Sequence, residues 1–219
     1  MGLDMYLYKI KKCGDLTPKQ IFATYDNMRA KENGYTLEEW CGGNPNDVRE
    51  DMEDAIRAMI HKTIPAYVDG SWTNYQPREE MYDIVAYWRK ANQIHNWFVN
   101  NVQDGNDDCG LYEVSEDKLR ELRDIATKVL NASELIDGKI QNGESLENGK
   151  WIANMVDGKV IKNSEVAEDL LPTTSGFFFG STDYDEYYVD DLETTIEQLT
   201  KVLNETDFTT ETICYASSW

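Results

Sequence analysis

The apolar residues of this chain change their spacing several times, and that change of period constrains the fold more than any single motif. From Leu3 to Ile10 they alternate with polar or amphipathic residues, which is the period of a strand. Tyr188, Leu192, Ile196, Leu199 and Leu203 instead recur at helical spacing within Asp183–Asn204. Thr210–Ser217 reads as a strand again. Segments of the two periods interleave without the regular rhythm of βαβ units. The expectation is an α+β fold in one domain over 1–219, with a mixed or antiparallel sheet packed by several helices.

Local start and stop signals fill in the rest. Thr17-Pro18 opens a helix that should reach about Ala30, and Thr36–Glu39 is a capping box for a short helix ending at Gly42-Gly43. Asn46–His61 reads as a third helix with Val48, Met52, Ile56, Met59 and Ile60 on its apolar side. Asp69-Gly70 suits a hairpin turn. Glu79–Val102 reads as the longest helix, Leu111–Val114 as a strand, and Ser115 as the cap of a helix to about Asn131. Asp-Gly or Asn-Gly dipeptides at 137, 142, 148 and 157 mark a hairpin excursion around 137–163, with Trp151–Val156 and Lys159–Lys162 joined across Asp157-Gly158. Ser164–Leu171 reads as a short helix stopped by Pro172, and Gly176–Gly180 (GFFFG) as a central strand.

The formal net charge is −20, and from Asn163 to Trp219 thirteen Asp and Glu stand against one Lys. Such a charge disfavours direct binding of nucleic acid, which relies on Lys and Arg displacing counterions from phosphates. It suits a solvated surface or a face that docks on a basic protein partner. Four cysteines, none close to another, offer no zinc or redox pair. The start MGLDMYLY has neither the build of a signal peptide nor a myristoylation pattern, and no stretch approaches a membrane span. A cytoplasmic protein without cofactor or metal is expected.

On a helical wheel through 79–102, His95 and Asn92 fall on the apolar face around Trp88, with Arg89 and Asn96 beside it and Lys90 and Trp97 on the far side. Polar groups buried there need hydrogen-bond partners. As core residues they would be tied to backbone or tyrosine. As a pocket floor, Arg89, Asn92, His95 and Asn96, with Trp88 as wall, would take an anionic or hydrogen-bonding ligand, Arg89 supplying a fork and His95 a donor, acceptor or proton relay. The segment Ser175–Tyr188 is the other half of the site, with Ser175, Phe178 and Ser181 as ligand contacts and the aromatics Phe177–Phe179 nearby. Ser181, Thr182 or Asp183 would cap the following helix.

Other motifs fail on their own chemistry. Asp104–Asp108 resembles the start of a calcium loop, but Cys109 and Ser115 stand where Gly and Glu are required. His61 and His95 are too far apart, and the cysteines too scattered, to suggest zinc. No GxSxG, P-loop or GxGxxG occurs. A nucleophilic pair of Cys109 or Cys214 with His95 has nothing specific behind it.

Three blocks together carry a resemblance: MGLDMYLY, AYWRKANQIHNWFVNNVQDGNDDC and LPTTSGFFFGSTDYDEYYVDDLETTIEQL. They resemble a family of small phage and prophage proteins over about half the chain, with 36–72 and 137–163 as variable insertions. The resemblance implies a phage-borne protein in a bacterial cytoplasm and carries over no catalytic residue. The expected function is binding of a small anionic, nucleotide-like ligand, to sequester or cleave a host defence signal. The alternative is an acidic inhibitor whose 183–197 face mimics nucleic acid on a basic host enzyme.

Overall fold

The computed structural model describes residues 2–59, 81–147, 149–176 and 178–219. The hairpin expected at Asp69-Gly70 lies outside them. The fold is α+β. A four-stranded sheet has the order β2 (Tyr82–Arg89), β1 (Asp4–Lys11), β6 (Glu211–Ser218), β3 (Tyr112–Val114). The Lys90 amide donates to the Leu3 carbonyl at one end of the β1–β2 pair and Tyr8 packs on Tyr82 at the other, so these strands run antiparallel. The chain forms two compact units, one of Tyr8–Ile84 with Thr206–Cys214, the other of Met1–Leu7, Val85–Glu205 and Tyr215–Trp219.

In the first of these, α1 (Pro18–Glu32) starts where its sequence says. Thr17 accepts from the Gln20 amide and the Gln20 side chain accepts from the Thr17 amide, a reciprocal cap. Ile21, Phe22, Tyr25 and Met28 form its buried stripe. Next come α2 (Leu37–Cys41), capped by Thr36 and ended by left-handed Gly42, and α3 (Glu53–Met59), which buries Ile56. The helix expected from Asn46 begins later. Pro45–Asp47 and Glu50–Met52 are single 3-10 turns, and Val48 between them is extended.

In the second, α4 (Asn92–Asn101) and α5 (Glu116–Ala132) are followed by the hairpin β4 (Leu135–Glu147) and β5 (Lys150–Ile161), then α6 (Glu165–Leu170) and α7 (Glu186–Glu205). The helix α5 buries Leu119, Leu122, Ala126 and Val129 and packs on α7, which buries Tyr188, Leu192, Leu199 and Val202. Both stripes follow the helical period.

Three further expectations are corrected. The helix over 79–102 is a strand, β2, followed after Lys90 and Ala91 by the shorter α4. Tyr82–Arg89 is rich in aromatic and β-branched residues and alternates at its end, with Ala86 and Trp88 buried and Tyr87 and Arg89 exposed. Lys90 then takes a left-handed φ of 63°, which no helix can pass through. The central strand expected over 176–180 is absent among the described residues. Phe178 and Gly180 have φ of 75° and 93°, so the backbone there turns instead of extending. Finally, the hairpin turn is not Asp157-Gly158. Glu147 pairs with Lys150 across the turn, and Gly158 lies opposite Gly138 inside the ladder.

Candidate functional site

The described residues of the segment 171–185, between α6 and α7, have almost no regular structure, so their backbone groups need other partners. Side chains of α4 and α7, and Tyr184 of the segment itself, supply them. Asn92, buried at the start of α4, donates to the carbonyls of Phe179 (3.3 Å) and Ser181 (2.7 Å) and accepts from the Thr174 amide (2.9 Å). Asn96, one turn on, donates to the Pro172 carbonyl (3.2 Å). Tyr188 donates its hydroxyl proton to the Leu171 carbonyl (2.9 Å), and Tyr184 accepts from the Thr173 amide (3.3 Å). A Cβ on Gly180 would stand 3.1 Å from Lys90 Cβ and 3.2 Å from the Lys90 carbonyl, so the loop passes that close to the strand end.

On one side of this loop is a cavity of about 320 Å³. His95 lies at its floor, 1% exposed. Its Nδ1 is 2.7 Å from the Tyr215 hydroxyl and its Nε2 is 3.0 Å from Asp107 Oδ2. The other Asp107 oxygen accepts from the Trp219 indole at 3.0 Å. Phe179 meets the imidazole edge-on at 5.2 Å. Burial raises the Tyr215 phenol well above its usual range, so it stays a protonated donor. Tyr215 then gives its proton to Nδ1, and Nε2–H donates to Asp107, the tautomer that satisfies all three groups. Both nitrogens of His95 are thereby engaged within the protein, and neither is bonded to a thiol.

On the other side is a cleft of about 490 Å³. Arg89 and Lys90, at the end of β2, line one part of it. Asp183, Asp185, Asp190 and Asp191, before and within the first turns of α7, line another. Asp185 is 1% exposed. Its Oδ1 caps α7 by accepting from the amides of Tyr187 (2.9 Å) and Tyr188 (3.2 Å), while its buried Oδ2 has no partner among the described residues. Asp191 accepts from the Gln93 amide nitrogen at 3.0 Å. Burial pushes its carboxyl up to about 7, against the Gln93 hydrogen bond and with help from Asp190 and Asp185. Burial also raises Asp185. A broader opening continues past Lys90 to Phe178, which is 44% exposed.

The residues singled out in the sequence are therefore distributed. His95, Asn96 and Ser175 line the first cavity, Arg89, Asn92 and Ser181 the cleft, and Phe178 its outer opening. Phe177 is outside the described residues. Trp88 lines none of these spaces. It is buried in β2, and its indole donates to Thr195 Oγ1 at 2.9 Å. Lys90, assigned to the far side of a helix, lines the cleft because its segment is a strand end. Gln93, Asp107, Tyr215 and Trp219 were not foreseen. Asp107 sits in a loop that reads as plain polar sequence, and Tyr215 and Trp219 lie over a hundred positions from His95. Only the unexplained His95, buried on an apolar face and needing partners, signalled them.

Among the described residues, no group of three or more His, Cys, Asp or Glu could hold a metal ion, and no helix is long and apolar enough to cross a membrane. No family model matches the chain, and no curated protein or solved structure is similar to it.

Proposed function

We propose that this chain binds a small anionic, nucleotide-like ligand in the cleft beside the 171–185 loop. The observation that carries the reading is Lys90. A lysine at φ 63° is strained where glycine would not be, and non-glycine residues in such conformations concentrate at functional sites. The strained backbone carries Lys90 to the cleft next to Arg89, and among the described residues Lys90 has no ion-pair partner. Two adjacent cations suit a phosphate or carboxylate. The exposed ring of Phe178, on the same opening as Lys90, suits stacking of a planar base. Engagement of both His95 nitrogens inside the protein favours holding a ligand over transferring its protons. In the phage-borne setting that the resemblance implies, holding such a ligand would withdraw a host signal.

Calorimetric titration with a panel of mono-, di- and cyclic nucleotides tests this, on the wild type, Arg89→Ala and Lys90→Gly. Glycine adopts the left-handed conformation freely, so Lys90→Gly is expected to fold at least as stably while losing about tenfold or more in affinity. Wild-type protein that binds no member of the panel, or variants that bind equally well, would sink the reading.

A further inference from the structure

The cleft holds more than its two cations need. A ligand that is only anionic would meet Arg89 and Lys90 but would also face four carboxylates, and like charges brought together in a partly desolvated space repel. The acidic wall is not merely a solvated helix face. Asp185 is almost fully buried at the cleft, and one of its oxygens makes no hydrogen bond among the described residues. A buried polar atom without a partner forfeits its hydration with nothing in return, so its persistence asks for an occupant. The cap of α7 uses only the other oxygen. A metal ion is a poor occupant, because among the described residues no three or more His, Cys, Asp or Glu converge in ligating geometry. An ammonium group needs less convergence, since it donates three separate hydrogen bonds at ordinary distances.

We infer that the ligand of this cleft also carries a primary ammonium group, seated against Asp185 and Asp191, while its anionic group lies at Arg89 and Lys90. The inference rests on the anionic-ligand reading and names the chemical class within it: a small zwitterion with its amine and anion at opposite ends. The occupied site would satisfy the free Asp185 oxygen and pair the ammonium with the Asp191 carboxylate beside Gln93. Asp191 must be ionised to do so. Its carboxyl titrates at about 7, so the amine is held more tightly above that pH, and binding at lower pH releases a proton. Among the described residues, the charged and titratable groups that line the cleft with it are Asp185 and Asp190 on its own segment, Tyr187 and Tyr188 one turn before it, Asp183 ahead of the helix, and Arg89 and Lys90 at the end of β2. Of these, burial raises Asp185 in the same direction as Asp191 and holds Tyr188 protonated.

The experiment is a nuclear magnetic resonance titration of the full chain with 2-aminoethyl, 3-aminopropyl and 4-aminobutyl phosphate, each against the ethyl, propyl or butyl phosphate lacking the amine. The pairs cancel titration of the phosphate itself. At pH 8 the best aminoalkyl phosphate is expected to bind at least about tenfold tighter than its partner, the size of one charge-assisted hydrogen bond. The advantage should shrink at pH 5.5 and in Asp191→Asn, with Asp185→Asn, which keeps the Oδ1 that caps α7, as a second variant should the first fail to fold. Equal binding within each pair overturns this inference and leaves the anionic reading standing. Binding of butylamine as tight as 4-aminobutyl phosphate, unaffected by Arg89→Ala, supports the amine seat and overturns the anionic reading. Binding by none of the compounds overturns the inference, and the nucleotide panel then decides the anionic reading separately.

Discussion

Asn92 shows how one residue can order a loop. Its side-chain amide makes three hydrogen bonds to backbone groups between Thr174 and Ser181, a stretch whose described residues form no strand or helix to satisfy them. Replacing Asn92 by Ala leaves two carbonyls and one amide without these partners. The expected cost is about 2–4 kcal/mol of stability, read from urea unfolding. Hydrogen exchange should meanwhile accelerate at the Thr174 amide while the α5 amides stay protected. Loss of stability without faster exchange at Thr174 would show that Asn92 acts only as core. The same residue illustrates what sequence could and could not reveal. Its position on an apolar stripe signalled a buried amide needing partners, but not that the partners would be a loop more than eighty residues away. His95 follows the same logic, because a buried imidazole must find two partners, yet nothing local names Tyr215 and Asp107.

At the scale of elements, capping chemistry was legible and periodicity sometimes misled. Thr17-Pro18, Thr36 and Ser115 each begin helices as their side chains dictate, because a cap is decided within four residues. The 79–102 segment joined a strand to a helix, and a helical wheel drawn through both found a false continuous face. In the hairpin, four Xaa-Gly dipeptides looked alike in sequence and serve two purposes. Gly143, next to a register shift, and Gly149, at the turn, have φ of 78°. Gly138 and Gly158 face each other in the ladder and are required for closeness. A Cβ on Gly158 would stand 2.4 Å from Cδ1 of the buried Ile140. Gly158→Ala should therefore cost about 1–3 kcal/mol by overpacking. In an Ile140→Ala background, which lacks both that Cδ1 and the Cγ1 that would lie 2.7 Å away, the cost should fall below about 1 kcal/mol. Equal costs in the two backgrounds, measured by urea unfolding, would rule out the contact as the cause. The base of this hairpin reaches the site, since the Ile161 amide donates to the Tyr184 carbonyl at 2.9 Å just before α7.

For the whole molecule, charge is the dominant property. With −20 overall, repulsion opposes compactness, and salt that screens it should stabilise the fold. Asp190, Glu193 and Glu197 are exposed along one side of α7, and among the described residues none has an ion-pair partner. Raising sodium chloride from about 0.01 to 0.2 M is expected to raise the Tm by roughly 2–6 °C, and Glu193→Gln with Glu197→Gln should reduce that gain. A Tm that salt leaves unchanged would show that the repulsion is already offset by local ion pairs. The sequence by itself determined the α+β class, the starts of α1, α2 and α5, the apolar stripe of α7 and the acidic surface. Each of these depends on neighbours within a few residues or on composition alone. Only the tertiary structure decided where the β2 strand ends, which glycines turn and which pack, that Trp88 belongs to the core, and that Lys90 and Asp185 share a cleft. Those outcomes depend on contacts between residues far apart in the chain, and no local pattern encodes which distant group will come to lie opposite.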